Sequence, residues 1–323
     1  MSFRNKTVLV TGGTGSIGNH LVEALVGHGA CVSVLQRDPT RKQNCSVAIL
    51  KQVEITALDL RDRTIESYLS TRRFDFIFHL AGNANNPGSV EAPRLDFEQN
   101  VLGTFNLLEA LRLYAPTTRL ILASSATVFG EGQAEPFTEV TPTKPLAPYG
   151  MSKLAAEGYV ALYARLYGLK TVTLRMFSVF GPRIARGVVF DLIRKASMNK
   201  DVLSVVGDGS QVRDLSPIAN VIDAMMLIAL KAPLQGEIYN MAYGRSVTIR
   251  ELADMVSEAM GIRPRYDFTG RIPAGEAKGW LADISKLTAL GYQPTVDLKQ
   301  GLAETVGWYT REFGIQARSS IDA

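Results

Sequence analysis

Three glycines at three-residue intervals, Gly12, Gly15 and Gly18, stand between a short apolar run and an amphipathic one. Thr7 to Val10 is β-branched and apolar and reads as a buried strand. From Ile17 the apolar residues recur at helical spacing, at Ile17, Leu21, Ala24 and Leu25. A strand, a glycine turn and a helix in that order form a site for a pyrophosphate. The turn must be tight, and the backbone must approach the phosphates with no Cβ in the way. The helix N-terminus then supplies free N–H groups and the positive end of its dipole. This stretch makes Gly12, Gly15, Ser16, Ile17 and Gly18 candidate cofactor-binding residues.

With 323 residues the chain can bury the core of one large α/β domain, or of a cofactor domain carrying a smaller lobe. The formal net charge is +4 with no long basic run, which argues against nucleic acid as a partner. An anionic small molecule needs only a few well-placed cations. Cys31 and Cys45 lack metal-ligand spacing, no metal site is expected, and Cys31 lies in an apolar strand run. Both read as buried free thiols, suited to a reducing cytosol. The start Met-Ser-Phe-Arg-Asn-Lys has no apolar core of a secretory signal, and the longest apolar stretch, Ala224 to Leu230, is too short for a bilayer. A cytoplasmic protein without membrane contact is expected.

Gly27-His28-Gly29 ends the first helix, with His28 meeting its dipole, and Cys31 to Leu35 forms a second strand. A ribose-reading acid is expected just after it for NAD, but Gln36 and Arg37 stand there and Asp38 follows one residue late. Arg37, with Arg41 and Lys42 nearby, could meet a 2′-phosphate, which favours NADP over NAD. Val53 to Leu58 is a third strand, followed by Asp59-Leu60, where the acid could instead cap the next helix. Phe74 to Leu80 is a fourth, running into Ala81-Gly82, whose small size lets the backbone pass close to a cofactor. His79 within this run reads as a packed core histidine. Asn83 to Pro93, rich in Asn, Pro and Gly, reads as a mobile loop over the site. Strands alternate with helices to about residue 175, which argues for a doubly wound parallel sheet.

Leu120 to Ala123 is a fifth strand, ending in Ser124-Ser125-Ala126-Thr127, and Tyr149-Gly150-Met151-Ser152-Lys153 opens an amphipathic helix. Tyr149 and Lys153 at i and i+4 share a helix face, so the ammonium can sit near the phenol. A tyrosine of ordinary pKa about 10 is a poor base at neutral pH. A lysine ammonium and an oxidised nicotinamide would favour the phenolate. Ser125 or Thr127 can donate to a substrate oxygen as charge develops on it.

Thr11-Gly12-Gly13-Thr14-Gly15-Ser16-Ile17-Gly18, Ser124 to Gly130 and Tyr149 to Lys153 together resemble the extended short-chain dehydrogenase/reductase family. Within it the chain looks like the NAD(P)-dependent nucleotide-sugar epimerases and dehydratases of the UDP-glucose 4-epimerase type. Asn100-Val101-Leu102-Gly103-Thr104 and Leu174 to Arg183 are similar to further family motifs, with Ser178 where the family usually has Asn. So are Val206 to Asp214, Ile238 to Ala242 and Leu281 to Asp283. The resemblance implies a Rossmann-type cofactor domain over 1–175 with a returning segment about 214–243. A smaller, mainly substrate-binding C-terminal lobe would take up 176–323. It implies that Asp59 and Leu60 contact adenine, that Leu80, Ala81 and Gly82 pass beside the cofactor, and that Asn100 orients this region. Tyr149, Lys153, Ser125 and Thr127 would be catalytic, with Tyr149 and Lys153 also touching the cofactor. Ser178, Arg213 and Lys278 would bind the nucleotide diphosphate sugar. It also implies a homodimer through helices at roughly 95–114 and 149–167, carrying Leu107, Leu111, Leu162 and Leu166.

Ala126-Thr127 decides the subfamily, because sugar 4,6-dehydratases resembling this chain carry an Asp-Glu pair there. Ala and Thr cannot move the protons of a dehydration. C4 epimerisation through a transient 4-keto sugar is the leading expectation, and an NADPH-dependent 4-ketoreductase the alternative. A 4,6-dehydratase or a non-catalytic NADP-sensing protein ranks below both.

Overall fold

The first strand, β1 (Thr7–Thr11), turns Val8 and Val10 into one apolar cluster and Leu9 into another. All three are fully buried, so both faces of the strand must be covered. The computed structural model of the chain describes residues 2–38, 46–130, 136–270, 279 and 281–314. After β1 come α1 (Gly18–Gly27), β2 (Cys31–Gln36), α2 (Val47–Leu50), β3 (Glu54–Ala57), α3 (Thr64–Thr71) and β4 (Phe76–His79). Next are α4 (Asn86–Glu91), α5 (Pro93–Phe97), a π-turn at Glu98–Leu102, α6 (Gly103–Tyr114) and β5 (Arg119–Ser125). The long helix α7 (Pro148–Tyr167) leads into β6 (Lys170–Met176) and β7 (Ser178–Phe180). Then follow α8 (Gly187–Met198), β8 (Val202–Val205), β9 (Val212–Pro217), α9 (Ile218–Lys231) and β10 (Gln235–Met241). The described chain closes with β11 (Ser246–Thr248), α10 (Ile249–Ala259), β12 (Arg265–Phe268), α11 (Ser285–Ala289) and α12 (Leu298–Phe313).

Seven strands form one parallel sheet in the order β10-β6-β5-β4-β1-β2-β3. The chain winds outward from β1 in both directions, so the fold is α/β and doubly wound, as its alternating pattern predicts. Such a sheet opens a crevice at the C-terminal ends of β1 and β4, where the winding reverses. Leu21, Leu25, Val221 and Met225 of α1 and α9 cover one face. Leu69, Leu107, Leu108 and Val160 of α3, α6 and α7 cover the other. A separate cluster holds the lobe together, with Leu192, Leu203, Leu252 and Leu302 from α8, β8, α10 and α12. The lobe's β7, β9 and β11 form a three-stranded sheet, and β8 pairs with β12. Among the described residues no helix is long and apolar enough to cross a membrane.

Three expectations need correcting. Cys31 is exposed, because it opens β2 where the strand leaves the core; Cys45 lies outside the described residues. The stretch from Asn83 is a helix from Asn86 onward: Asn85 caps it by accepting from the Gly88 amide, and Pro87 sits in its first turn. Leu107 and Leu111 face the protein's own core at 0% and 1% exposure, so they are unavailable to a partner, whereas Leu166 is exposed and Leu162 half-buried. The helix around them does run from 93 to 114, close to the expected 95–114, with α5 and α6 continuous through the π-turn.

His79 is a packed core residue, as its apolar surroundings imply. Its ring nitrogens lie 2.7 Å from Thr11 Oγ1 and 3.0 Å from Thr104 Oγ1, and burial pushes its pKa down to about 3. A histidine kept neutral in the fold takes up its proton more readily when unfolded. Between its ordinary 6.5 and about 3, the unfolded state binds more protons, so stability falls as pH falls through that window. Urea unfolding across a pH series should show this loss starting near pH 6.5. In His79→Gln the slope should be shallower by about one proton. An unchanged slope would contradict the assignment.

Candidate active site

The turn after β1 lies against the end of β4. Gly12, at φ +70°, donates its amide to the Leu35 carbonyl at 3.0 Å. A Cβ there would come within 2.9 Å of the Ala81 amide nitrogen, and one at Gly18 within 2.2 Å of the Gly12 carbonyl oxygen. Gly12, Gly15 and Ser16 therefore line a cavity of about 350 Å³, while Ile17 and Gly18 support the turn from behind. No side chain caps α1 and no acid occupies its first turn, so no carboxylate competes with an anion for its positive end.

The same cavity runs past Gln36, Arg37, Asp59, Leu60, Leu80, Ala81 and Gly82. Its far end has no carboxylate on the last residue of β2: Gln36 accepts from the Thr14 hydroxyl and donates to the Asp38 carbonyl. Arg37 is exposed at the rim. Asp59 does not cap α3, whose N-cap is Arg63. It is held instead by Arg61, with Nη2 at 2.7 Å and Nε at 3.0 Å, and this pairing lowers its pKa. The carboxylate thus stays charged beside Leu60. Arg41 and Lys42 lie outside the described residues.

Next to it a second cavity, of about 540 Å³, is lined by Ser125, Ala126, Thr127, Ser178 and Arg213. Thr127 donates both its amide, at 3.3 Å, and its hydroxyl, at 3.0 Å, to Ser125 Oγ. Tyr149 hydrogen-bonds to Ser125, so phenol and hydroxyls form one chain on this wall. Pro148 starts α7, and the Tyr149 amide donates to the buried Ser89 hydroxyl of α4 at 3.1 Å. The segment read as a mobile loop is thus what anchors the first turn of α7.

One turn on, Lys153 is buried and donates to the Ala123 carbonyl at 3.1 Å. Burial pushes its pKa down to about 8, against the upward pull of Asp96 and Glu157. The lowering of the Tyr149 pKa that the sequence attributes to this ammonium is not found. Burial pushes the phenol up, Ser125 and Arg186 pull it down, and Asp96 adds to the rise. The ammonium is directed at a carbonyl of β5 rather than at the phenol.

Below it, Glu157 meets Arg175 at 2.8 Å, both under 5% exposed, and takes a 2.5 Å hydrogen bond from Ser124. Such a pair fixes α7 against β5 and β6; removing one partner alone leaves a buried charge and costs about 3–5 kcal/mol. Asn100 is buried on the π-turn, with its Oδ1 beside Gly82. Arg213, on β9, donates to its neighbour's carbonyl at 2.9 Å. Lys278 lies outside the described residues. The sequence reading missed Asp96, Ser89 and Glu157. Asp96 and Glu157 each stand four residues from a residue it selected, Asn100 and Lys153, and that spacing was the available signal.

The family model of the NAD dependent epimerase/dehydratase family matches residues 8–242. The UDP-glucose 4-epimerase of Mycolicibacterium smegmatis is 30% identical, covering 93% of this chain and 97% of that one. The UDP-glucose 4-epimerase of Thermotoga maritima, solved with UDP-glucose, superposes with a TM-score of 0.85 at 30% identity, over 95% of this chain and 99% of that one. That of Thermus thermophilus, solved with NAD, gives 0.82 at 34% identity, over 94% and 98%.

Gly18→Ala tests the turn. The added methyl collides with the Gly12 carbonyl, so α1 must shift. The expected outcome is a folded protein destabilised by about 1–3 kcal/mol, with NAD binding weakened in a fluorescence titration. Unchanged binding would show that this packing does not shape the site.

Proposed function

Because the chain belongs to the NAD dependent epimerase/dehydratase family, we propose that it epimerises a nucleotide diphosphate sugar at C4 through a transient 4-keto sugar. One observation carries this reading. Tyr149 bonds to Ser125 on the wall of one cavity, while Lys153 Nζ lies 3.6 Å from where a Gly82 Cβ would sit, on the wall of the other. Proton-transfer groups therefore stand between the two cavities.

A dinucleotide fits the first cavity: its turn has no side chain where phosphates would approach, and the N-terminus of α1 has no side-chain cap. Gly12, Gly15 and Ser16 would hold the pyrophosphate, with Asp59 and Leu60 at the adenine and Leu80 to Gly82, Tyr149 and Lys153 toward the nicotinamide. When bound, the nicotinamide supplies a reversible two-electron acceptor. Tyr149 takes the proton of the C4 hydroxyl and gives it back, and the Ser125 and Thr127 hydroxyls steady the oxygen meanwhile. Lys153 keeps a positive charge near the reacting groups. Ser178, Arg213 and Lys278 hold the nucleotide diphosphate sugar, the diphosphate facing Arg213. Ala126 and Thr127 offer no acid or base to remove water, which supports epimerisation over 4,6-dehydration.

A second reading, an NADPH-dependent 4-ketoreductase, is favoured by the exposed Arg37 and by Gln36, in place of an acid, as the last residue of β2. The NAD held by a solved relative supports NAD instead. A homodimer is also proposed, through the exposed Tyr159, Leu166 and Tyr167 of α7 and Leu113 of α6.

Incubation with UDP-, GDP-, CDP- and dTDP-sugars, with NAD, NADP, NADPH or none added, tests the function. Epimer should form with no net cofactor consumed, by a protein of dimeric mass in light scattering. Stoichiometric NADPH loss would establish the reductase instead. Tyr149→Phe should lower turnover at least about a hundredfold while cofactor affinity holds. Wild-type turnover by that variant would remove Tyr149 from the chemistry.

A further inference from the structure

Asp96 is 1% exposed on α5, and among the described residues no cation forms an ion pair with it. Its Oδ1 accepts from Asn83 Nδ2 at 2.7 Å and from Asn100 Nδ2 at 2.9 Å, while its Oδ2 has no partner. A carboxylate only accepts, so it fixes which way the Asn100 amide faces: nitrogen toward Asp96, oxygen away. That oxygen is buried, also without a partner, and 2.3 Å from where a Gly82 Cβ would stand; Lys153 Nζ is 3.6 Å from the same point. Asp96 and Asn100 lie four residues apart across the junction of α5 with the π-turn, a geometry often found at functional sites.

Resting on the epimerase reading above, we infer that Asp96 is a positioning residue: it turns the Asn100 carbonyl toward the Lys153 side of Gly82 and supplies the buried negative charge that Lys153 and Tyr149 work against. The Asn100 oxygen faces the region where a lysine ammonium needs an acceptor. Without a fixed partner on its nitrogen, that amide would be free to flip and present a donor to a cation. The charge acts in parallel with the orientation. It raises Lys153, together with Glu157, and it raises Tyr149, against Arg186. The remaining titratable neighbour, His79, feels the Lys153 charge and stays neutral.

Asp96→Asn removes the charge in nearly the same volume. Tyr149 and Lys153 should then both titrate lower, so both limbs of the pH profile of kcat should move to lower pH. The test is NMR titration of [13Cζ]tyrosine-labelled protein, with Tyr149 assigned by its loss in Tyr149→Phe, alongside pH–rate profiles. The Tyr149 titration should fall by about half a unit or more in Asp96→Asn. It should return toward the wild-type position in Asp96→Glu, which restores the charge. Should Asp96→Asn not fold, Asp96→Ser carries the same comparison. A Tyr149 titration unmoved in the neutral variant, or moved equally in Asp96→Glu, would overturn the inference. The titration needs no substrate, so it stands apart from whether any sugar is epimerised.

Discussion

The site depends on the absence of a side chain at residue 12. With a Cβ there, the turn after β1 would meet the backbone of Leu80 and Ala81 at 3.1 Å or closer. The strand ends of β1 and β4 could then not lie together where the sheet's winding reverses. Everything downstream follows from that contact. It sets the floor of the cavity beside β1, brings Gly82 over Asn100, and leaves the N-terminus of α1 without a side-chain cap. The sheet itself is ordinary in its energetics, with two apolar faces and a helical layer on each.

What is not ordinary is the charge buried beside that contact. Asp96, Lys153, Glu157 and Arg175 are all less than 10% exposed, on three elements, α5, α7 and β6, that converge on the end of β5. Apolar residues of similar volume would often hold a core at least as well as buried ions do. In the present reading Asp96 raises Tyr149 beyond what burial does, and Asp96 and Glu157 together oppose the loss of the Lys153 charge. The Glu157–Arg175 pair also fixes the depth of α7, and with it the height of Tyr149 above Ser125.

The central sheet was legible because its strands are short, apolar on both faces and each closed by glycine or a polar residue. Gly12, Ser125, Tyr149 and Lys153 were legible because each sits at a strand end or helix start with its own local pattern. The segment 83–93 was misread for a physical reason. Asn, Pro and Gly start helices as well as loops, and only the packing of Ser89 under Tyr149 separates the two. Cys31 was misread because alternation along a strand says nothing about where the strand leaves the core. Asp96 left only its four-residue spacing to Asn100 as a signal, since its burial against Asn83 and Asn100 comes from packing that the chain alone does not show. The lobe's pairing of β8 with β12 joins short segments far apart in sequence and leaves no periodic signal.

In the proposed function, oxidation and its reversal at one sugar carbon pass between these two cavities without exchange with water. The most direct measurement is proton NMR of the epimer formed in D2O from whichever nucleotide sugar turns over. The account predicts that C4 of the product keeps its original hydrogen while its configuration inverts, with no deuterium at that carbon. Deuterium at C4 in step with inversion would mean removal and return of a proton at carbon, and would contradict it.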